Sequence, residues 1–75
     1  MSQKLVNALA ILRRKQVEGI TGLSRSTIYA EMKAGRFPKQ FQLTSKRSVG
    51  WLESEIVDFI QARIDASRNA EKEGV

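Results

Sequence analysis

The side chains best suited to chemistry in this chain are cations and hydroxyls gathered between positions 13 and 47. Arg25, Ser26, Thr27, Tyr29 and Lys33 fall within one stretch of nine residues. A guanidinium can bridge guanine O6 and N7, while hydroxyls and ammonium groups bond to phosphates, so this set suits recognition of duplex DNA better than bond making. Arg14, Lys15, Arg36 and Lys39 flank the stretch as phosphate ligands, and Lys46-Arg47 sits near the tip of a short hairpin pattern, suited to the backbone or the minor groove. Each has a plainer reading. Arg25 also suits a phosphate clamp or a bridge to a carboxylate, and Ser26 and Thr27 suit local bonding at a helix start. Tyr29 also suits a half-buried ring covering the hairpin, and Lys46-Arg47 a merely soluble turn.

What positions these groups is one small body. The chain has 75 residues, 41% of them hydrophobic, which makes a single domain at the small end of what folds without a disulfide, a metal or a partner. It contains no cysteine and no histidine, so thiol nucleophiles, Cys/His zinc modules and the commonest general base are excluded. The acidic cluster Glu53, Glu55 and Asp58 suits a helix start rather than an acid/base pair. No enzymatic activity, cofactor or metal is expected.

Charge is unevenly placed within the net +5: residues 13–47 hold nine cations against Glu18 and Glu31, whereas residues 48–75 hold three against six carboxylates. The middle of the chain is therefore the anion-facing part, with affinity expected to fall steeply with salt. The apolar run Leu5 to Leu12 is interrupted by Asn7, too short to span a bilayer, and followed by three cations unlike a signal-peptidase site. With the lack of cysteine, this points to the bacterial cytoplasm, at the nucleoid.

The spacing predicts three helices and a hairpin. Leu5, Ala8, Leu9 and Leu12 stand at helical intervals, so residues 1–11 form either a short docked helix or a disordered segment. Val17 and Ile20 mark the buried stripe of a first helix, and Gly22 permits a left-handed turn. Ser24 is placed as an N-cap, with Ile28 and Met32 inward and Ser26, Ala30 and Lys33 outward. Gly35 and Pro38 stop that helix. Phe41 and Leu43, then Val49 and Trp51, alternate as two strands packed on the helices, with Trp51 a core anchor. A last helix is expected from about Glu53 to Ala66, burying Leu52, Ile56, Phe59, Ile60 and Ile64, and residues 67–75 form a frayed tail. The domain proper is then 12–66, mainly α with a small β-hairpin: a winged helix-turn-helix.

In this order, the segments Leu23-Ser24-Arg25-Ser26-Thr27-Ile28-Tyr29, Gly35-Arg36-Phe37-Pro38 and Trp51-Leu52-Glu53-Ser54-Glu55-Ile56 make residues 12–65 resemble the AlpA family of phage and prophage transcriptional regulators. More distantly, the chain resembles excisionases and MerR-type winged domains. The resemblance implies a duplex-DNA-binding regulator of mobile-element genes such as an integrase, with Arg25, Ser26, Thr27, Tyr29 and Lys33 on the reading helix and Lys46-Arg47 on the wing. An integrase or recombinase, or RNA polymerase, is the implied protein partner. Ala30 stands where relatives often carry a larger polar or basic residue. The same surfaces also fit an excisionase-type architectural factor, and the fold fits a protein-interaction module that inhibits a regulator. One such small surface calls for tandem copies, cooperative self-assembly or DNA wrapping to bind tightly.

Overall fold

Among the described residues the first element is a strand, and an extended Arg13 leads from it into the first helix. The computed structural model describes residues 10–74. Its elements are β1 (Ile11–Leu12), α1 (Arg14–Thr21), α2 (Arg25–Lys33), β2 (Phe41–Gln42), β3 (Val49–Leu52) and α3 (Glu53–Gly74). The helical reading of the N-terminal spacing therefore fails at Leu12, which lies in β1; Leu5, Ala8 and Leu9 lie outside the described residues. With φ −89° and ψ 165°, Arg13 is extended, and its N–H donates to Gln16 Oε1 at 2.8 Å.

Helix α1 buries Val17 completely but leaves Ile20 51% exposed, so the expected two-residue stripe is a single anchor. At its end Gly22 has φ 75° and its N–H donates to the Glu18 carbonyl at 2.8 Å. A side chain at this φ is strained, and the turn into α2 depends on that freedom. Thr21 Oγ1 donates to the Val17 carbonyl (2.7 Å) and accepts from Leu23 N–H (3.2 Å), which sets the turn.

Helix α2 starts on Ser24, whose Oγ accepts from Thr27 N–H at 3.2 Å. A cap of this kind contributes about 1 kcal/mol. Ile28 is fully buried and Met32 packs against the core. Gly35, at φ 80°, closes the helix, with its N–H on the Met32 carbonyl (3.1 Å) and Arg36 N–H on the Glu31 carbonyl (2.9 Å). These two bonds satisfy carbonyls the last turn would otherwise leave open.

Strand β3 is the centre of a three-stranded antiparallel sheet of order β1-β3-β2. Ile11 and Leu12 face Leu52 and Trp51 on one side; Phe41 and Gln42 face Gly50 and Val49 on the other. This register puts Phe41 on the Gly50 side of the sheet, away from Trp51, and Phe41 is 37% exposed rather than packed on the helices. A period-two pattern does not say which phase faces inward; pairing does. The core comprises Leu12, Val17, Ile28, Phe37, Trp51 and Ile56, with Leu23, Met32, Phe59 and Ile60 packed against it. Trp51 is fully buried, as expected of an anchor, and its Nε1–H donates to the Pro38 carbonyl at 3.0 Å. Phe37 meets Phe59 edge-on, with centroids 4.7 Å apart.

Helix α3 begins where Glu53 N–H donates to the Ala10 carbonyl (2.8 Å), so Leu52 ends the strand and is not part of the helical stripe. It runs beyond the expected end at Ala66 to Gly74, although Asp65–Ala70 are all exposed. Loss of burial suggested an end there. No proline intervenes and no glycine precedes Gly74, and Ala, Arg, Glu and Lys are good helix formers, so nothing in the chain stops the hydrogen-bond ladder earlier.

Candidate nucleic-acid interface

The outward side of α2 follows from what its inward side buries. With Ile28 fixed in the core, Arg25, Ser26, Thr27, Ala30 and Lys33 are all exposed. The small Ser26 and Ala30 lie between Arg25 at one end and Lys33 at the other, so the middle of the row is low and its ends are cationic. Ser24 Oγ also lies 3.0 Å from Thr27 Oγ1, so both hydroxyls take part in the helix start while remaining open to solvent.

Tyr29 is half-buried, and both readings of it meet here. Its hydroxyl donates to Gln40 Oε1 at 3.2 Å, tying α2 to the residue that precedes β2, and the Arg25 guanidinium stands 5.8 Å above its ring centroid. An Arg–Tyr stack of this kind contributes roughly 0.5–1 kcal/mol at an exposed site and restricts the guanidinium's directions. Gln40 is the positioning residue that sequence reasoning missed. Glutamine next to a strand carries no distinguishing spacing, and only the folded proximity to Tyr29 reveals it.

The wing tip is held by local polar bonds, one of them short. Leu43 N–H donates to the Ser48 carbonyl (2.8 Å), Lys46 N–H to Thr44 Oγ1 (3.3 Å), and Gln42 Nε2 to the Lys46 carbonyl (3.4 Å). Lys46 and Arg47 are exposed at that tip. Lys15 and Lys39 are exposed as well, and no salt bridge among the described residues holds either.

The two carboxylates of the basic region are both occupied. Arg14 Nη1 donates to Glu18 Oε2 at 2.8 Å along α1. Arg36 uses Nε and Nη2 to grip both Glu31 oxygens at 2.9 Å. That bidentate hydrogen bond holds the Glu31 carboxyl below the usual carboxylate range against an opposing desolvation, with the positive charges of Arg36 and Arg63 adding to it, and the bond to Glu31 in turn raises Arg36. Arg13, Lys15, Arg25, Lys33, Lys39, Lys46 and Arg47 have no ion-pair partner among the described residues. Arg13 joins the set predicted from sequence; the run Arg13-Arg14-Lys15 carried the signal. Arg14 and Arg36 each keep N–H donors not used by their carboxylates.

No helix among the described residues is long and apolar enough to cross a membrane. The geometry is that of a small winged domain, and the sequence comparisons agree. A protein of Enterobacteria phage P4, described as "Uncharacterized protein ORF88", is 45% identical over 53 residues, which cover 71% of this chain. That match spans 59% of the phage protein's length. The family described as "Prophage CP4-57 regulatory protein (AlpA)" matches residues 10–64, beginning with the residue before β1 and ending within α3. A match over most of the chain, with the helix, turn, helix and wing in place, establishes that the chain belongs to the AlpA family of prophage regulatory proteins.

Proposed function

We propose that this chain is a sequence-specific regulator of phage or prophage genes, such as an integrase gene, that inserts α2 into the major groove of duplex DNA and lays its wing on the adjoining backbone or minor groove. The observation that carries this reading is the row Arg25, Ser26, Thr27, Ala30 and Lys33, exposed on a helix whose opposite side is locked into the core by Ile28. Small residues in the middle of the row let the helix axis approach base edges, and Arg25, steadied by the Tyr29 ring, reaches a guanine. Lys15, Lys39, Lys46 and Arg47 supply phosphate contacts that set affinity and register, joined by Arg13, Lys33 and the free donors of Arg14 and Arg36.

The test is selection of duplexes from a random library by the full chain, followed by titration of selected and random sequences against salt. Arg25→Ala is expected to remove about 1–3 kcal/mol of discrimination at one base pair while leaving random-sequence affinity nearly unchanged. Equal loss on both would remove Arg25 from the base-reading set. A folded chain that binds no duplex at low salt would overturn the reading and favour a protein-interaction role. DNA bending measured in the same complexes would assign the chain an architectural role.

A further inference from the structure

One side of α3 carries a pattern that DNA reading does not use. Glu53, Val57, Ile60, Ile64 and Arg68 recur at spacings of four, three, four and four. At roughly 100° per residue they fall along one side of the helix. Val57 is 52% exposed; Glu53, Ile60 and Ile64 are half-buried, and Arg68 is exposed. Beside the row runs a groove of about 240 Å³ lined by Thr21, Leu23, Phe59, Ile60, Arg63 and Ile64. Among the side chains of residues 10–70 neither Glu53 nor Arg68 has an ion-pair partner.

The row is symmetric about the Ile60–Gln61 peptide bond: Glu53 and Arg68 are equally far from it along the chain, and so are Val57 and Ile64. We propose that α3 packs antiparallel against α3 of a second copy of this chain. Glu53 of each copy then faces Arg68 of the other, and Val57 faces Ile64. The charges select this direction, because a parallel pair would set Glu53 on Glu53 and Arg68 on Arg68. The stretch Asp65–Ala70 is exposed along its length and carries Arg68 beyond the core.

Three aliphatic side chains per copy bury less than the roughly 1,200 Å² that a stable interface needs, so the pair is weak in free solution. Neighbouring DNA sites raise the effective concentration and populate it. That last step rests on the proposed function and gives two copies one composite reading surface; the pairing itself does not depend on it.

The chain has no cysteine, so disulfide trapping starts from an empty background. Full-length Val57→Cys and Ile64→Cys proteins, each first shown to keep the native circular dichroism spectrum, are oxidised alone and mixed, without DNA. Paired α3 helices join position 57 of one copy to position 64 of the other. Two copies of position 57 stay about 10 Å apart along the axis, beyond disulfide reach. The expected result is a covalent dimer in the mixture and none from either variant alone. Adding Glu53→Arg to the Val57→Cys and Ile64→Cys proteins abolishes the product, and adding Arg68→Glu as well restores it; Glu53→Gln lowers the yield with less effect on the helix start. Cross-linking of either variant with itself in preference to the mixture would overturn the antiparallel register. No product in the mixture would overturn the proposal, and shielding of the thiol at position 57 from a small maleimide would then assign the face to the chain's own residues 1–9. Because these readouts need no DNA, they succeed or fail separately from the reading of α2.

Discussion

Gly50 is the point at which β1 closes over the wing strand, and replacing it with alanine tests that closure. An ideal Cβ there would lie 2.6 Å from Ile11 Cγ2, 3.2 Å from the Leu12 carbonyl oxygen and 3.4 Å from Leu43 Cδ1. The positive-φ glycines are Gly22 and Gly35, so the backbone at Gly50 accepts alanine and only the contacts resist it. Restricting the unfolded chain favours alanine by about 0.4–1 kcal/mol. Overpacking costs about 1–3 kcal/mol. The expected net effect of Gly50→Ala is a destabilisation of about 1–2 kcal/mol. Urea unfolding followed by the fluorescence of buried Trp51 measures it. Ile11→Ala removes the 2.6 Å contact and leaves the 3.2 Å one, so the double variant should recover about 1 kcal/mol relative to the sum of the singles. Additivity within about 0.3–0.5 kcal/mol, or a stabilising Gly50→Ala, would refute the close approach of β1 to β3.

Gly19→Ala is the contrasting case: nothing lies within 4 Å of its Cβ position on α1, so the substitution should stabilise the fold by about 0.5–1 kcal/mol in the same urea assay. Lys39→Ala and Arg47→Ala should weaken selected and random duplexes alike, each reducing the slope of log affinity against log salt by about one; a changed sequence preference would contradict their assignment to phosphates. The Glu31–Arg36 pair has an acid-side signature. Because the folded carboxyl titrates below its unfolded value, its contribution is complete at neutral pH and disappears as pH falls through the depressed range. The stability difference between wild type and Glu31→Gln should therefore shrink on acidification, and a difference that persists in strong acid would dissociate it from this ion pair.

Legibility in the sequence followed the range of the interactions. Ser24, Gly22, Gly35 and Ile28 act within their own helix or turn, and residue type and spacing revealed each of them. The wing was visible as two alternating runs, but the phase of Phe41 was not, because it depends on which residue of β3 lies opposite. Strand β1 escaped for the same reason. Two residues carry no periodicity, and Leu12 happened to stand at helical spacing from apolar residues before it. In the candidate interface, the cations were legible by type, whereas their partners were not. Glu31 lies five residues before Arg36, across a helix end, and Gln40 lies eleven residues beyond Tyr29. Helix periodicity does not connect such pairs.

The proposed mechanism asks more of the core than stability. A reading helix and a wing must meet one duplex together, so their relative placement has to survive without DNA. Three fully formed links hold it. The Trp51 indole on the wing strand donates to the Pro38 carbonyl in the segment leaving α2; Phe37 from that segment is buried against Phe59 of α3; and Gln40 accepts from Tyr29 on α2 itself. The first two place the connection between α2 and β2 on the core, and the third ties its far end back to the helix. A wing merely tethered by a flexible loop would lose conformational entropy each time it bound. With these links in place, that ordering is part of folding, and the contacts proposed for Lys46 and Arg47 would add to those proposed for Arg25 at little further cost.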